Sequence, residues 1–231
     1  MDFSNLYVND VLLGSGLAAV FSLFLLISLP KIMGADVEPL SETPFYFYIL
    51  GPILAAVTSV ALQLVDNSSQ LTIITWSIIA GIGSVATLTD FKDHRVPNIL
   101  AYNQFILVII ALVANAFITG NFWALLWAGV ALFGSALVTF LGVTLLKVGA
   151  GDLKYLPVIA GALGFINPWL AVAWTFAAWT LNLVFSMVLY MFHDVEKNGP
   201  RSNAKGPLIP PFYFALWTLA PLASVGLVAA L

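Results

Sequence analysis

Eight apolar stretches, separated by short polar connections, constrain the fold of this chain more than any other feature. A helix that crosses the hydrocarbon core of a bilayer needs about 20 mostly apolar residues. Of the 231 residues, 61% are hydrophobic and only 8% are charged, whereas a soluble domain carries about 25% charged residues. We therefore predict an all-α polytopic membrane protein with eight transmembrane helices, at residues 11–30, 45–65, 71–89, 99–117, 122–146, 153–165, 168–192 and 208–231.

The basic residues predict the orientation of these helices. All eight lie in, or within two residues of, the connections that follow the first, third, fifth and seventh stretches. Because cytoplasmic loops carry an excess of Lys and Arg, these four connections are predicted to be cytoplasmic and both termini to lie outside. The sixth stretch has thirteen residues, about 20 Å of helix. It is nevertheless predicted to cross, because otherwise the connection with Lys197, Arg201 and Lys205 would face outward.

Composition excludes several classes of site. The chain has no cysteine, which excludes disulfides, thiolate zinc sites and cysteine nucleophiles. Two histidines are too few for a histidine-based metal cluster. Small residues crowd the third and fifth stretches, where they predict close helix packing in lipid; they are Ala80, Gly81, Gly83, Ser84, Gly129, Gly134, Ser135 and Gly142.

Two acids, Asp90 and Asp152, are predicted to lie at the same depth on the cytoplasmic side, at the ends of different helices. Taken singly, each has a structural explanation: Asp152 suits a helix N-terminus, and Asp90 could pair with Lys92 or Arg95. Taken together, two carboxylates a few ångströms apart share one proton, so one can activate a water while the other protonates a carbonyl oxygen. Such a pair would hydrolyse a peptide bond without a metal.

The sequence around each acid resembles one protease family. "GAGD" at residues 149–152 fits the GxGD signature of membrane aspartyl proteases, and Gly149 and Gly151 leave room for a substrate backbone beside the acid. Together with "DFKDHRVPN" at residues 90–98, it resembles the type IV prepilin and preflagellin (archaellin) peptidases. The resemblance implies that Asp90 and Asp152 are the catalytic pair and that Lys154 occupies the family's lysine position.

The resemblance also implies a domain organisation and a substrate. Residues 71–231 would form the six-helix peptidase core, while residues 1–70 would form two further helices whose role stays open. The enzyme would sit in the plasma membrane and cut the short basic leader from pilin or archaellin precursors at the cytoplasmic face. We expect no metal, no cofactor and no nucleic-acid partner, besides the precursors and the lipid bilayer. The oligomeric state stays open.

The chain departs from two relatives of that family. Large bacterial prepilin peptidases add a cytoplasmic domain with paired cysteines and an N-methyltransferase activity; this chain has no cysteine, so we expect cleavage without methylation. Signal-peptide-peptidase relatives share GxGD but carry a YD motif and a PAL element. This sequence has "TDF" and "GPLIPPFYFAL" instead, so it resembles the signal-peptide-peptidase relatives less than the prepilin peptidases.

Three further residues are candidates for supporting roles. Lys154 could pair with Asp152 or orient substrate, or serve only as a positive-inside anchor. Asp93 could receive the basic leader, or pair locally with Arg95. Asn98 is predicted to cap the fourth helix, since Asn is a strong N-cap.

Two other functions compete with the peptidase. One is a proton-coupled transporter that uses Asp90 and Asp152 as a relay, although a transporter favours acids near the membrane midplane. The other is a catalytically idle membrane assembly factor.

Overall fold

A computed structural model describes residues 8–32, 44–65, 69–93, 96–146 and 154–192 of the chain. Over these ranges it contains seven α-helices and no β-strand. The helices are α1 (Val8–Ile32), α2 (Phe47–Val65), α3 (Gln70–Asp93), α4 (Asn98–Thr119), α5 (Phe122–Leu146), α6 (Leu156–Ile166) and α7 (Pro168–Phe192). The helix predicted at residues 208–231 lies outside the described residues.

Six of these helices, all except α6, are long and apolar enough to cross a membrane. Large apolar side chains cover their outward faces, among them Phe133 and Phe176, which are 74% and 73% exposed. Water would disfavour so much exposed apolar surface, whereas lipid tails accept it. The chain is therefore an all-α multi-pass membrane protein, as predicted. Helices α5 and α7 begin and end at the predicted residues, and the remaining bounds differ by a few residues.

Side-chain contacts show how the helices run relative to one another. The Ser77 hydroxyl donates to the Gly14 carbonyl at 2.9 Å, and the hydroxyls of Ser22 and Ser84 lie 2.8 Å apart, so α1 and α3 are parallel. By contrast, α4 runs antiparallel to α3, because a short connection joins the end of one to the start of the other. We call the end of the bundle that contains Ser69, Gly120 and Asn167 the turn end. The opposite end, which contains Lys31, Lys92 and Lys154, is the basic end.

Helix α3 occupies the centre of the first four helices. Within its membrane-length window 78% of the residues are buried, a far larger share than in any other long helix of the described chain. A Cβ atom at Gly81 would lie 2.9 Å from the Phe21 ring and 3.2 Å from the Ala18 carbonyl oxygen, so this glycine allows α1 to approach closely. The predicted packing role is confirmed at Gly81 but not at Gly129, which has no neighbour within 4 Å of where its Cβ would be.

Helix α6 is short and almost wholly enclosed. Nine of its eleven residues are buried, Leu156 to Gly164 without interruption. Its glycines lie against α5: a Cβ at Gly161 would lie 3.3 Å from the Ala128 carbonyl oxygen, and one at Gly164 would meet the Ala131 side chain. Within α5 itself, Gly142 is likewise covered, by the Trp179 ring of α7.

A single residue, Asn167, connects α6 to α7, which confirms the sharp turn predicted there. Helix α6 ends and α7 begins at this turn. Helix α6 is about 16 Å long and therefore runs beside only the first part of α7, which is about 37 Å long. Lys154, just before α6, contacts Asn98 and Tyr102 of α4. The beginning of α6 therefore lies near the beginning of α4, while α7 continues roughly 20 Å beyond the beginning of α6.

Candidate functional site

The structure describes part of the predicted site. Asp152, Gly149 and Gly151 lie outside the described residues. Asp93 is the last residue of α3, and its side chain is not among those described. Asp90, Asn98 and Lys154 are described with their side chains, and all three lie at the basic end.

Asp90 is a buried acid in the last turn of α3, with 4% of its surface exposed. Helical geometry determines the side of α3 on which it lies. Thr72 lies on the face of α3 toward α4, because its hydroxyl accepts a 3.2 Å hydrogen bond from the Asn115 amide of that helix. Asp90 follows Thr72 by eighteen residues, and at about 100° per residue eighteen residues make five complete turns. Asp90 therefore lies on the face of α3 that is turned toward α4.

The same reasoning gives the level of Asp90 along α4. Thr72 and Asn115 fix the alignment of the two antiparallel helices near the turn end. Eighteen residues along α3 correspond to about 27 Å, and the same distance back from Asn115 along α4 arrives at its beginning. Asp90 and Asn98 are thus at the same level, on neighbouring helices.

Asn98 links α4 to the start of α6. Its side-chain oxygen accepts a 2.8 Å hydrogen bond from Lys154 Nζ, and the same ammonium lies 5.5 Å from the centre of the Tyr102 ring. The prediction that Asn98 caps its helix is wrong: Pro97 occupies the N-cap position, and no side chain caps α4. The Asn98 oxygen is instead used to hold Lys154, which comes fifty-six residues later in the chain.

The N-termini of α4 and α6 face the basic end. Their N-cap residues, Pro97 and Tyr155, provide no side-chain cap, and the Tyr155 side chain is buried. An N-terminus carries about half a positive charge on its unpaired N–H groups, which favours nearby anions. Together with the Lys154 ammonium, these helix ends place positive charge at the level of Asn98. Such a region stabilises a carboxylate or the oxyanion that forms during acyl transfer.

Sequence reasoning missed two polar residues close to this level, Thr87 and Gln104. Thr87 precedes Asp90 by one turn of α3, and its buried hydroxyl has no hydrogen-bond partner among the described residues. Gln104 lies on α4 and is fully buried, with both its amide oxygen and its amide nitrogen unpaired there. For Gln104 the sequence contained a signal. Gln104 and Asn115 are eleven residues apart, about three turns, so they share one face of an otherwise apolar helix.

In the part of the chain that the structure describes, no group of three His, Cys, Asp or Glu side chains is placed to hold a metal ion. Comparison with protein-family models, curated proteins and solved structures finds no match to this chain.

Proposed function

We propose that this protein is a membrane aspartyl endopeptidase that removes the short basic leader from precursors of the pilin and archaellin type. Asp90 and Asp152 are its catalytic pair, and no metal or cofactor takes part. The cut is made at the cytoplasmic face of the plasma membrane, just ahead of the hydrophobic helix of the precursor. Methylation of the product is not part of the activity, since the chain lacks the cysteine-containing domain associated with it.

One observation carries the proposal. Asp90 is buried on the face of α3 toward α4, at the level of Asn98, and Asn98 holds Lys154. Lys154 follows Asp152 by two residues in the sequence. The segment that carries Asp152 therefore continues directly into Lys154, and Lys154 is held at the level of Asp90.

The chemistry follows from such a pair. Two neighbouring carboxylates hold one proton between them because both cannot ionise at low cost in a site with little water. The ionised member takes a proton from a water molecule as that water attacks the peptide carbonyl carbon. The protonated member donates to the carbonyl oxygen, and the leaving amine is protonated when the C–N bond breaks. Lys154 and the N-terminus of α6 stabilise the negative charge that develops.

The proposal includes a complete topology. Eight helices cross the membrane, α6 among them, and both termini lie outside. The basic end of the bundle is its cytoplasmic end, because Lys31, Lys92 and Lys154 lie there. Residues 71–231 form the peptidase core, and residues 1–70 add α1 and α2, which pack against the helix that carries Asp90.

The positions of the acids favour this function over proton-coupled transport. Within the described residues the only acids are Asp10, Asp90 and Asp93, and all three lie in the first or last turns of helices. A transporter needs ionisable groups near the midplane to relay protons. A protease that cuts beside a membrane needs them at one face.

Incubation with a precursor tests the proposal. The purified protein is mixed with a precursor pilin that bears a basic leader, and mass spectrometry follows the loss of the leader mass. Native protein is expected to cleave, while Asp90→Asn and Asp152→Asn each reduce the rate by at least about 100-fold, because each removes a proton-transfer group.

Asp10→Asn provides the matched control, since Asp10 lies in the first turn of α1 at the opposite end of the bundle. It is expected to cleave at the native rate, and all variants are checked for unchanged thermal unfolding. Full activity in either Asp90→Asn or Asp152→Asn would show that the substituted residue is not one of the catalytic pair.

A further inference from the structure

Gln104 is an unusual residue for the interior of a membrane helix bundle. None of its surface is exposed, yet neither its amide oxygen nor its amide nitrogen has a hydrogen-bond partner among the described residues. Unpaired polar groups are unfavourable in a medium without water, so a buried amide of this kind calls for an explanation. The other amide deep in α4, Asn115, shows the ordinary outcome, because it donates to Thr72.

The position of Gln104 relates it to Asp90. It shares a face of α4 with Asn115, and that face is turned toward α3. Six residues separate it from the beginning of α4, which corresponds to about 9 Å of depth below the level of Asn98 and Asp90. The unpaired hydroxyl of Thr87 also lies on the deeper side of Asp90, one turn away on α3.

Because Gln104 is fully buried, a precursor segment reaches it only when neighbouring helices part. A tight turn at Gly120 and Asn121 joins α4 to α5, yet the two helices contact each other sparsely, whereas α4 packs extensively against α3. Helices α4 and α5 can therefore part with little loss of packing between them.

We propose that the Gln104 amide binds one peptide group of an extended precursor segment, on the membrane side of the bond that is cut. The proposal rests on the function proposed above. The amide nitrogen donates to a backbone carbonyl of the precursor, and the amide oxygen accepts from a backbone N–H, as in the pairing of two strands. The 9 Å offset from Asp90 equals roughly three residues of extended chain at about 3.3 Å each, so the contact falls about three residues beyond the cut.

This contact has a physical role. A precursor segment that is extended for cleavage exposes backbone groups that its own helix would otherwise satisfy. A buried amide pairs with one backbone carbonyl and one backbone N–H of the precursor at once, whatever side chains the precursor residues carry. Gln104 therefore recognises the extended backbone rather than a particular sequence.

Replacement of the amide by a thioether tests the inference. Gln104→Met keeps the length of the side chain and removes both hydrogen-bonding groups. We expect KM for the precursor to rise about tenfold with kcat within about threefold of the native value, because binding loses its hydrogen bonds while the catalytic acids stay in place. Without precursor the variant should unfold at the native temperature or above it, since the buried unpaired groups are gone.

Gln63→Met is the control. Gln63 is likewise buried with an unpaired amide oxygen, but it lies on α2, near the turn end and beside Gly14 of α1. It is expected to leave KM unchanged. A second precursor, with an ester in place of the amide three residues beyond the cut, should raise KM for the native protein and have little further effect on Gln104→Met.

The outcomes separate this inference from the proposed function. If native protein cleaves and Gln104→Met shows the native KM, then Gln104 holds nothing more than a buried water, and this inference is overturned while the peptidase stands. If both Met variants raise KM equally, the effect is not local and the inference is again overturned. Failure of native protein to cleave any precursor would overturn the proposed function and this inference with it.

Discussion

The two ends of the helix bundle differ in how their polar groups are hydrogen-bonded. At the turn end, three polar side chains each accept a hydrogen bond from a backbone N–H in the first turn of the next helix: Ser69 in α3, Asn121 in α5 and Asn167 in α7. At the basic end, the N-cap residues of α4 and α6, Pro97 and Tyr155, provide no side-chain cap. Asp90 is buried there, and below it Thr87 and Gln104 have unpaired polar atoms within the described chain.

This difference suits the turn end to stability and, under the proposed function, the basic end to chemistry. Capped turns satisfy backbone donors locally and leave little capacity to bind anything else. Unpaired side chains weaken the folded state, but in the proposed function they leave donors and acceptors free to bind a substrate. Sites that bind and react commonly sacrifice local stability in this way.

The largest effect on stability is expected from filling the packed glycine of α6. In Gly164→Val the new side chain would meet the Ala131 side chain and lie close to the Trp127 carbonyl oxygen, 3.0 Å from a Cβ at this position. Overpacking of this kind costs about 1–3 kcal/mol of the free energy of unfolding. Thermal unfolding in detergent measures it.

Gly129→Val is the matched control on α5. A Cβ at Gly129 has no neighbour within 4 Å, so this substitution is expected to leave the unfolding temperature nearly unchanged. Equal destabilisation by both substitutions would show that helix propensity, not the contact between α5 and α6, causes the loss of stability in Gly164→Val.

A somewhat smaller effect is expected at the basic end, and on rate rather than stability. Lys154→Met removes the hydrogen bond to Asn98 and the contact with Tyr102. We expect the cleavage rate to fall about tenfold, because the proposed pairing of Asp152 with Asp90 depends on the position of Lys154, which would no longer be fixed to α4. Thermal unfolding should change little, since Lys154 is exposed.

Lys154→Arg tests the same position in the opposite direction. It keeps the charge and can still donate to Asn98, so it should recover part of the rate. An unchanged rate in Lys154→Met would mean that this lysine is an orientation anchor only.

The smallest of these effects is expected from a cap at the turn end. Asn167→Ala removes the 2.9 Å hydrogen bond from the Trp169 N–H and should lower the free energy of unfolding by about 1 kcal/mol. Cleavage should stay at the native rate. A variant that loses activity without losing stability would contradict the separation of roles between the two ends.

The course of the long helices could be predicted from the sequence because bilayer thickness demands long apolar runs, and polar residues interrupt them clearly. Helices α5 and α7 match their predicted bounds for this reason: Asn121 and Asn167 precede them, and each is followed at once by apolar residues. The turns at these two residues could also be predicted, since Asn and Pro favour them.

The predictions were less successful where an interaction depends on residues distant in the sequence. Asn98 has the sequence signature of a cap, yet its side chain is used by Lys154 of another helix. Gln104 stands in an apolar run, and no local pattern distinguishes a buried unpaired amide from a packed one. The predicted pairing of Asp90 with Asp152 stays a prediction, because Asp152 lies outside the described residues.

The shortness of α6 has a consequence for leakage across the membrane. The proposed peptidase must admit water to its carboxylates, but a wet channel through the whole bilayer would discharge the ion gradients of the cell. Helix α6 is eleven apolar residues long, about 16 Å, and its glycines pack closely against α5. Because desolvating an ion is costly, this apolar layer would act as a barrier to ions between the proposed site and the turn end.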